Sequence, residues 1–374
     1  MAGVYIHIPF CKKACIYCDF YFSVSMKEKD TFMKTLLKEI ELRKDYLSDT
    51  IETIYFGGGT PSVLTADEIN KIISALKTHL NISAQVECTL EANPDDLSNE
   101  YLSELITTPI NRLSIGIQSF NDNRLLWMNR SHTSKQAAQS VTDAYKAGFK
   151  NISIDLIFTL PDMQMNEWKA QLQQATALPV NHISCYCLTV EEKTLLGNRV
   201  KKKQEIILLD EEAQQQFLFA DTFLAANGFV HYEISNYAKV GFNSKHNSSY
   251  WDKKPYLGLG PSAHSFNLIS RQWNISSIKM YADAINNNTL PATTETLTIQ
   301  QQYNEYVMVN LRTEKGSDLN YITANFGNEY TRYFISSAQK FISRKQLIQN
   351  ENIITIDKKF WFAADSFIAE LFYA

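Results

Sequence analysis

Short runs of β-branched and aromatic residues alternate with helical periodicity from the N-terminus onward, the pattern of repeated βα units around a parallel sheet. Six runs read as strands, at residues 4–8, 52–56, 85–90, 112–117, 152–158 and 182–188. Between them Thr65, followed three residues later by Glu68, and Thr133, followed by Gln136, have the form of capping boxes that start helices. A charged helix is expected over 201–226, ended by Gly228, with a strand-like run at 229–234. Gly, Pro, Asn and aromatics then dominate an irregular stretch at 241–266. From 291 the pattern turns helical again, and 312–318 breaks it before a small C-terminal module. The chain therefore divides into a barrel (1–228), a loop-rich extension (229–290) and a C-terminal domain (291–374).

Splitting each strand by its alternating faces separates an apolar set from a polar one. Val4, Ile6 and Ile8 oppose Tyr5 and His7; Val86, Cys88 and Leu90 oppose Glu87, Thr89 and Glu91. Leu113, Ile115 and Ile117 oppose Arg112, Ser114 and Gln118; Ile154, Leu156 and Phe158 oppose Ser153 and Asp155. With the apolar sets under the helices, polar residues from four strands converge on one interior. Closed eight-stranded barrels fill that space with branched apolar side chains, so the expected fold is an open, ligand-holding α/β partial barrel with six βα units.

Composition adds exclusions. A net charge of −4 gives no footprint for nucleic acid. No apolar run approaches the ~18 residues of a membrane span, and no secretory leader is visible, so a cytoplasmic protein is expected. Six Cys in 374 residues, three of them within eight positions, do not form a secreted disulfide framework.

Those three, Cys11, Cys15 and Cys18, follow the first strand directly, at the end where barrels carry their sites. Three thiolates in one loop can hold three irons of a 4Fe-4S cubane and leave the fourth open for an amino-acid ligand. The competing reading is a zinc loop with a remote fourth ligand, although structural zinc sites favour Cys pairs over a triad. Cys88, Cys185 and Cys187 read as core residues.

His7-Ile8-Pro9-Phe10-Cys11 and the CxxxCxYC spacing resemble the radical S-adenosylmethionine (SAM) superfamily, here of the partial (β/α)6 barrel type. Gly57-Gly58-Gly59-Thr60-Pro61-Ser62, Glu91-Ala92-Asn93-Pro94, Ser114 to Phe120 and Tyr232 to Asn236 are similar to the group that holds oxygen-independent coproporphyrinogen III dehydrogenase and the haem chaperones of the HemW type. The resemblance implies a SAM pocket made of Gly58, Gly59, Thr60, Glu91, Gln118, Arg130 and Asp155, with Tyr5 beside them. For Arg130 a solvated surface position stays open as the alternative. Dehydrogenases of the group usually carry a fourth Cys where Phe20 stands, and a longer segment before the cluster. His246-Asn247-Ser248-Ser249-Tyr250-Trp251 matches the HNxxYW signature associated with haem in the chaperones, which implies His246 as an axial ligand with Tyr250 and Trp251 stacking or shielding. A packed histidine in a loop is the alternative. The chaperone reading implies haem or porphyrin as ligand, with haem-accepting proteins and an electron donor as partners. Thr159 and Ser262 stand where Gly is usual.

Overall fold

The computed structural model describes residues 2–206 and 208–373. Six strands, β1 (Ala2–Ile8), β2 (Ile51–Gly58), β3 (Ile82–Ala92), β4 (Arg112–Gln118), β5 (Ile152–Phe158) and β6 (His182–Cys187), pair in parallel and in sequence order. Helices Lys29–Leu42, Ala66–His79, Asn99–Leu105, Ser134–Ala147 and Met165–Ala177 connect them. Two of these start at the expected capping boxes, Thr65 with Glu68 and Thr133 with Gln136, each satisfying otherwise orphaned N–H groups in both directions. The apolar sets are buried as the alternation requires, with Val4, Ile6, Ile8, Leu113, Ile115 and Ile117 fully shielded.

The region after residue 228 is built into the same sheet. β7 (Val230–Glu233) and β8 (Asn236–Ala238) add antiparallel to β6, in the order β6-β8-β7. β9 (Tyr256–Leu259) pairs in parallel with β1 at the opposite edge, and β10 (His264–Phe266), β11 (Ser270–Asn274) and β12 (Ala292–Thr296) continue antiparallel beyond it. The stretch expected to be irregular is thus largely ordered backbone, and it includes a helix, Lys245–Trp251, whose N-cap Ser244 accepts from the Asn247 N–H. Two other expectations change. The helix expected from 201 begins only at Asp210, because Leu195–Lys201 ends in a run of three lysines whose last member, Lys203, turns to φ +57°. The segment expected to turn helical at 291 forms β12 first, and its helix is Ile299–Leu311.

The C-terminal module packs Ile299–Leu311 with helices Leu319–Phe326, Asn328–Ser343 and Ala364–Leu371. A small sheet of β13 (Ser317–Asp318), β14 (Leu347–Asn350) and β15 (Ile353–Ile356), in the order β13-β15-β14, completes it. No helix among the described residues is long and apolar enough to cross a membrane.

Candidate cofactor site

Cys11, Cys15 and Cys18 open onto one cavity of about 440 Å3 at the C-terminal end of the barrel strands. The loop that carries them is held in shape from outside: Cys11 N–H donates to Ser23 O at 3.0 Å, Ile16 N–H to Met128 O at 3.3 Å, and Asn129 Nδ2 to Ala14 O at 2.8 Å. Lys12 bridges from the loop to Asp95 at 3.0 Å and also contacts Asp96. All six cysteines are free thiols. Among the described residues no three His, Cys, Asp or Glu side chains gather closely enough for a single ion. A cubane does not require that, since each thiolate binds a different iron. Burial raises the Cys11 thiol and pushes that of Cys18 up to about 11. Iron–sulfur assembly would therefore release protons.

Seven of the eight expected SAM residues line the same cavity: Gly58, Gly59, Thr60, Glu91, Gln118, Arg130 and Asp155. Tyr5 does not. Its ring lies one layer below, stacked on Tyr55 at 6.2 Å, with its hydroxyl 3.2 Å from His7 Nδ1. Arg130 is held in the pocket wall and is not a solvated surface residue. Its Nη1 reaches Cys15 Sγ at 3.3 Å, while Nη2 donates to Asn93 Oδ1 at 2.6 Å and Gly116 O at 2.8 Å. Its Nε is shielded and has no partner among the described residues. Asn93 also donates to Thr60 Oγ1 at 3.3 Å, and Thr60 donates to Cys11 Sγ at 3.4 Å. Sequence reasoning missed Asn93 as a hub although it lies inside the Glu91 to Pro94 motif.

The glycine run has two jobs. Gly58 and Gly59 line the cavity, but a Cβ on Gly58, which sits at φ +107°, would meet the His7 ring at 2.5 Å, and one on Gly59 would meet Ile8 O and Phe10 O at 2.8 Å. Strand β2 can approach the cluster loop only where side chains are missing.

Two carboxylates face the cavity, Glu91 from β3 and Asp155 from β5, with β4 between them. Burial pushes Glu91 up to about 7 against hydrogen bonds from Tyr55 and the Gly58 N–H, and Asp155 up to about 6 against one from Ser184. Arg112, fully buried beneath them, supplies the internal positive charge that favours their ionised forms, and its Nε is unpaired among the described residues. Cys88 and Cys185 are core residues as expected, whereas Cys187 is exposed at the cavity wall, 3.3 Å from Thr159 Oγ1. Phe20, 65% exposed, stands on the rim.

His246 lies elsewhere. It is on a helix, not in an irregular loop, and that helix caps the N-terminal end of the barrel beside Gly3 and Thr53. At roughly 3.3 Å per residue, the length of β1 from Gly3 to Ile8 separates it from the cluster loop by about 17 Å. Both ring nitrogens are engaged: Nδ1 is 2.8 Å from Thr53 Oγ1, and Nε2 is 2.8 Å from the Tyr250 hydroxyl. Burial holds the imidazole down at about 3, hence neutral. Tyr250 packs edge-on to it at 5.0 Å, and Trp251 Nε1 is shielded with no acceptor among the described residues.

Comparison with known proteins fits this layout. The radical SAM superfamily pattern matches residues 5–175. The heme chaperone HemW of Lactococcus lactis is 32% identical over 96% of this chain and 93% of its own, and that of Bacillus subtilis is 35% identical over 94% and 93%. The structure of coproporphyrinogen III oxidase (HemN) from Escherichia coli superposes with a TM-score of 0.86 over 99% of this chain and 90% of that one, at 20% identity, which shows a common fold. Identity at the level of the two chaperones runs through barrel, extension and C-terminal module alike instead of stopping at the cluster motif, and on that ground the chain belongs to the HemW family of haem chaperones within the radical SAM superfamily.

Proposed function

We propose that this protein carries haem to acceptor proteins, with a 4Fe-4S cluster on Cys11, Cys15 and Cys18 and SAM in the cavity above Glu91 and Asp155. The observation that supports it most is the near full-length similarity to heme chaperones, which takes in the HNxxYW segment as well as the barrel. Phe20 in place of a fourth Cys agrees with a carrier over a coproporphyrinogen dehydrogenase. Six free thiols suit a reducing compartment, the cytoplasm, where an electron donor and haem-accepting proteins are the partners.

When bound, cluster and SAM supply reductive cleavage of the sulfonium to an adenosyl radical. The chain's own part is to bind and orient. Arg130 brings a guanidinium charge to the cavity wall for a carboxylate, Gly58 and Gly59 give close backbone approach to an amino group, and Glu91 and Asp155 suit hydroxyls and positive charge. Gln118, held at φ +66°, completes the wall. For haem, His246 is the axial nitrogen of the signature. It is enclosed and bonded on both nitrogens, so the Lys245–Trp251 helix would have to leave the barrel end before His246 could hold iron, with Tyr250 and Trp251 then available to stack on or shield the porphyrin.

The test is a haem titration of wild type and His246→Ala, run beside an anaerobic coproporphyrinogen assay. Wild type is expected to give a shifted Soret band that His246→Ala weakens and changes, with no decarboxylated product. Product above that of a Cys11→Ala control would make the protein a dehydrogenase instead.

A further inference from the structure

The haem signature and the SAM cavity sit at opposite ends of the barrel, yet three side chains join them. His246, 1% exposed, lies against Tyr55 with ring centres 4.9 Å apart and planes 24° from parallel. Tyr5 flanks both rings, at 6.2 Å from Tyr55 and 6.4 Å from His246. The Tyr55 hydroxyl donates to Glu91 Oε1 at 2.8 Å, and Glu91 lines the cavity.

The far side of the imidazole is equally fixed. Thr53 and Tyr250 hold its two nitrogens, and the His246 N–H donates to Glu87 Oε1 at 3.1 Å. Tyr55 therefore cannot tilt toward the barrel end without displacing a ring that is bonded on both edges. A glutamate has three rotatable bonds, so the phenol, together with the Gly58 N–H, bears on whether Glu91 is already placed when a ligand arrives or must be ordered at that moment. Gly57 tightens the arrangement, because a Cβ there would meet Tyr5 at 2.9 Å, Tyr55 at 3.0 Å and Glu91 at 3.2 Å.

We propose that His246 is a positioning residue of the SAM cavity, acting through Tyr55 on Glu91 from the opposite end of the barrel. The proposal rests on the reading of that cavity as the SAM pocket. It gives the signature helix a role in the haem-free protein, separate from any ligation of iron.

The test is calorimetric titration of SAM into the full-length, cluster-reconstituted protein. Wild type, His246→Ala, Tyr55→Phe, the double variant and His246→Gln are compared at equal iron content. Tyr55→Phe keeps the ring and removes only the hydroxyl, so it should weaken SAM about tenfold or more, the size of one hydrogen bond to a charged group. His246→Ala should weaken it comparably. The double variant should be no weaker than Tyr55→Phe alone, because both changes act through one hydroxyl. His246→Gln, whose planar amide can bond Tyr250 and lie on the Tyr55 face, should recover most of the affinity. Losses that multiply in the double variant would mean general loosening and overturn the proposal, as would unchanged SAM affinity in His246→Ala. If His246→Ala does not fold, full affinity in Tyr55→Phe overturns it equally. Wild type that keeps its cluster and binds no SAM removes the pocket reading, and the proposal with it.

Discussion

Glu91 and Asp155 are raised carboxylates, and their effect on stability has a definite sign. Each is more basic in the folded protein than in the unfolded chain, so the stability it contributes is complete below about pH 4 and is lost as pH rises through about 6 for Asp155 and about 7 for Glu91. The buried histidines run the other way. His132 is held down at about 4, His246 at about 3, and His182 is well below its ordinary value, so acid favours the unfolded chain there. The net slope of wild type therefore mixes both, and the carboxylate part appears only by difference. For the protein without ligands, the melting temperature of Glu91→Gln relative to wild type should shift in the variant's favour between pH 5 and pH 8. A difference that is flat across that range, followed by scanning calorimetry, would mean Glu91 titrates as an ordinary exposed carboxylate. Two other residues show what substitution for Gly costs locally. Thr159 and Ser262 both adopt left-handed backbone, at φ +61° and +65°. Thr159 is compensated, since its hydroxyl donates to Phe158 O at 2.6 Å and accepts from Leu188 N–H at 2.9 Å.

At the scale of elements, the added strands are fastened to the barrel by a buried charge pair that sequence reading did not single out. Glu39, on the first helix, accepts from Gly260 N–H at 2.7 Å, Asn274 Nδ2 at 2.7 Å and the Tyr281 hydroxyl at 2.5 Å. Arg43, one turn later, reaches Ser265, Gln272 and Asn274 at 3.2–3.3 Å. Removing one member leaves the other charge buried and unpaired, which costs about 3–5 kcal/mol. Glu39→Ala should therefore lower unfolding free energy by that amount in urea melts, while a loss below about 1 kcal/mol would show that the network adds little. Glu39 was illegible because a Glu in a helix looks like any solvated face until the partner strands, more than 200 residues later, are in place. The six barrel strands were legible for the opposite reason: their signal is local alternation, and the polar sets of β3, β4 and β5 supply Glu91, Ser114, Gln118 and Asp155 to the cavity. The signature helix was hidden by its length, seven residues rich in Asn, Ser and aromatics, with Ser244 as its one local start signal. That His246 is buried against Tyr55 follows from strand packing, which no spacing in the sequence encodes.

For the whole molecule the two roles proposed for His246 make opposing demands on one histidine. In the closed arrangement His246 is locked between Thr53 and Tyr250, and the C-terminal module keeps its helix down: Lys253 Nζ donates to Gln302 O at 3.4 Å, and Lys315 pairs with Asp252. With haem iron on Nε2 the Tyr250 bond would have to break, which would weaken the support behind Tyr55 and Glu91. Haem ligated by His246 and SAM held by a placed Glu91 therefore favour different states of one element, and linkage makes the penalty mutual. Saturating haem should weaken SAM by about tenfold, within the 5- to 150-fold span usual for coupled sites, and saturating SAM should weaken haem by the same factor. The pair of titrations, SAM into haem-loaded protein by calorimetry and haem into SAM-loaded protein by the Soret band, measures both sides of the cycle. In Tyr55→Phe the link from His246 to Glu91 is cut, and the two factors should fall toward one while haem binding itself persists. Equal SAM affinity with and without haem in wild type, when His246→Ala by itself weakens SAM, would place the haem iron on a ligand other than His246.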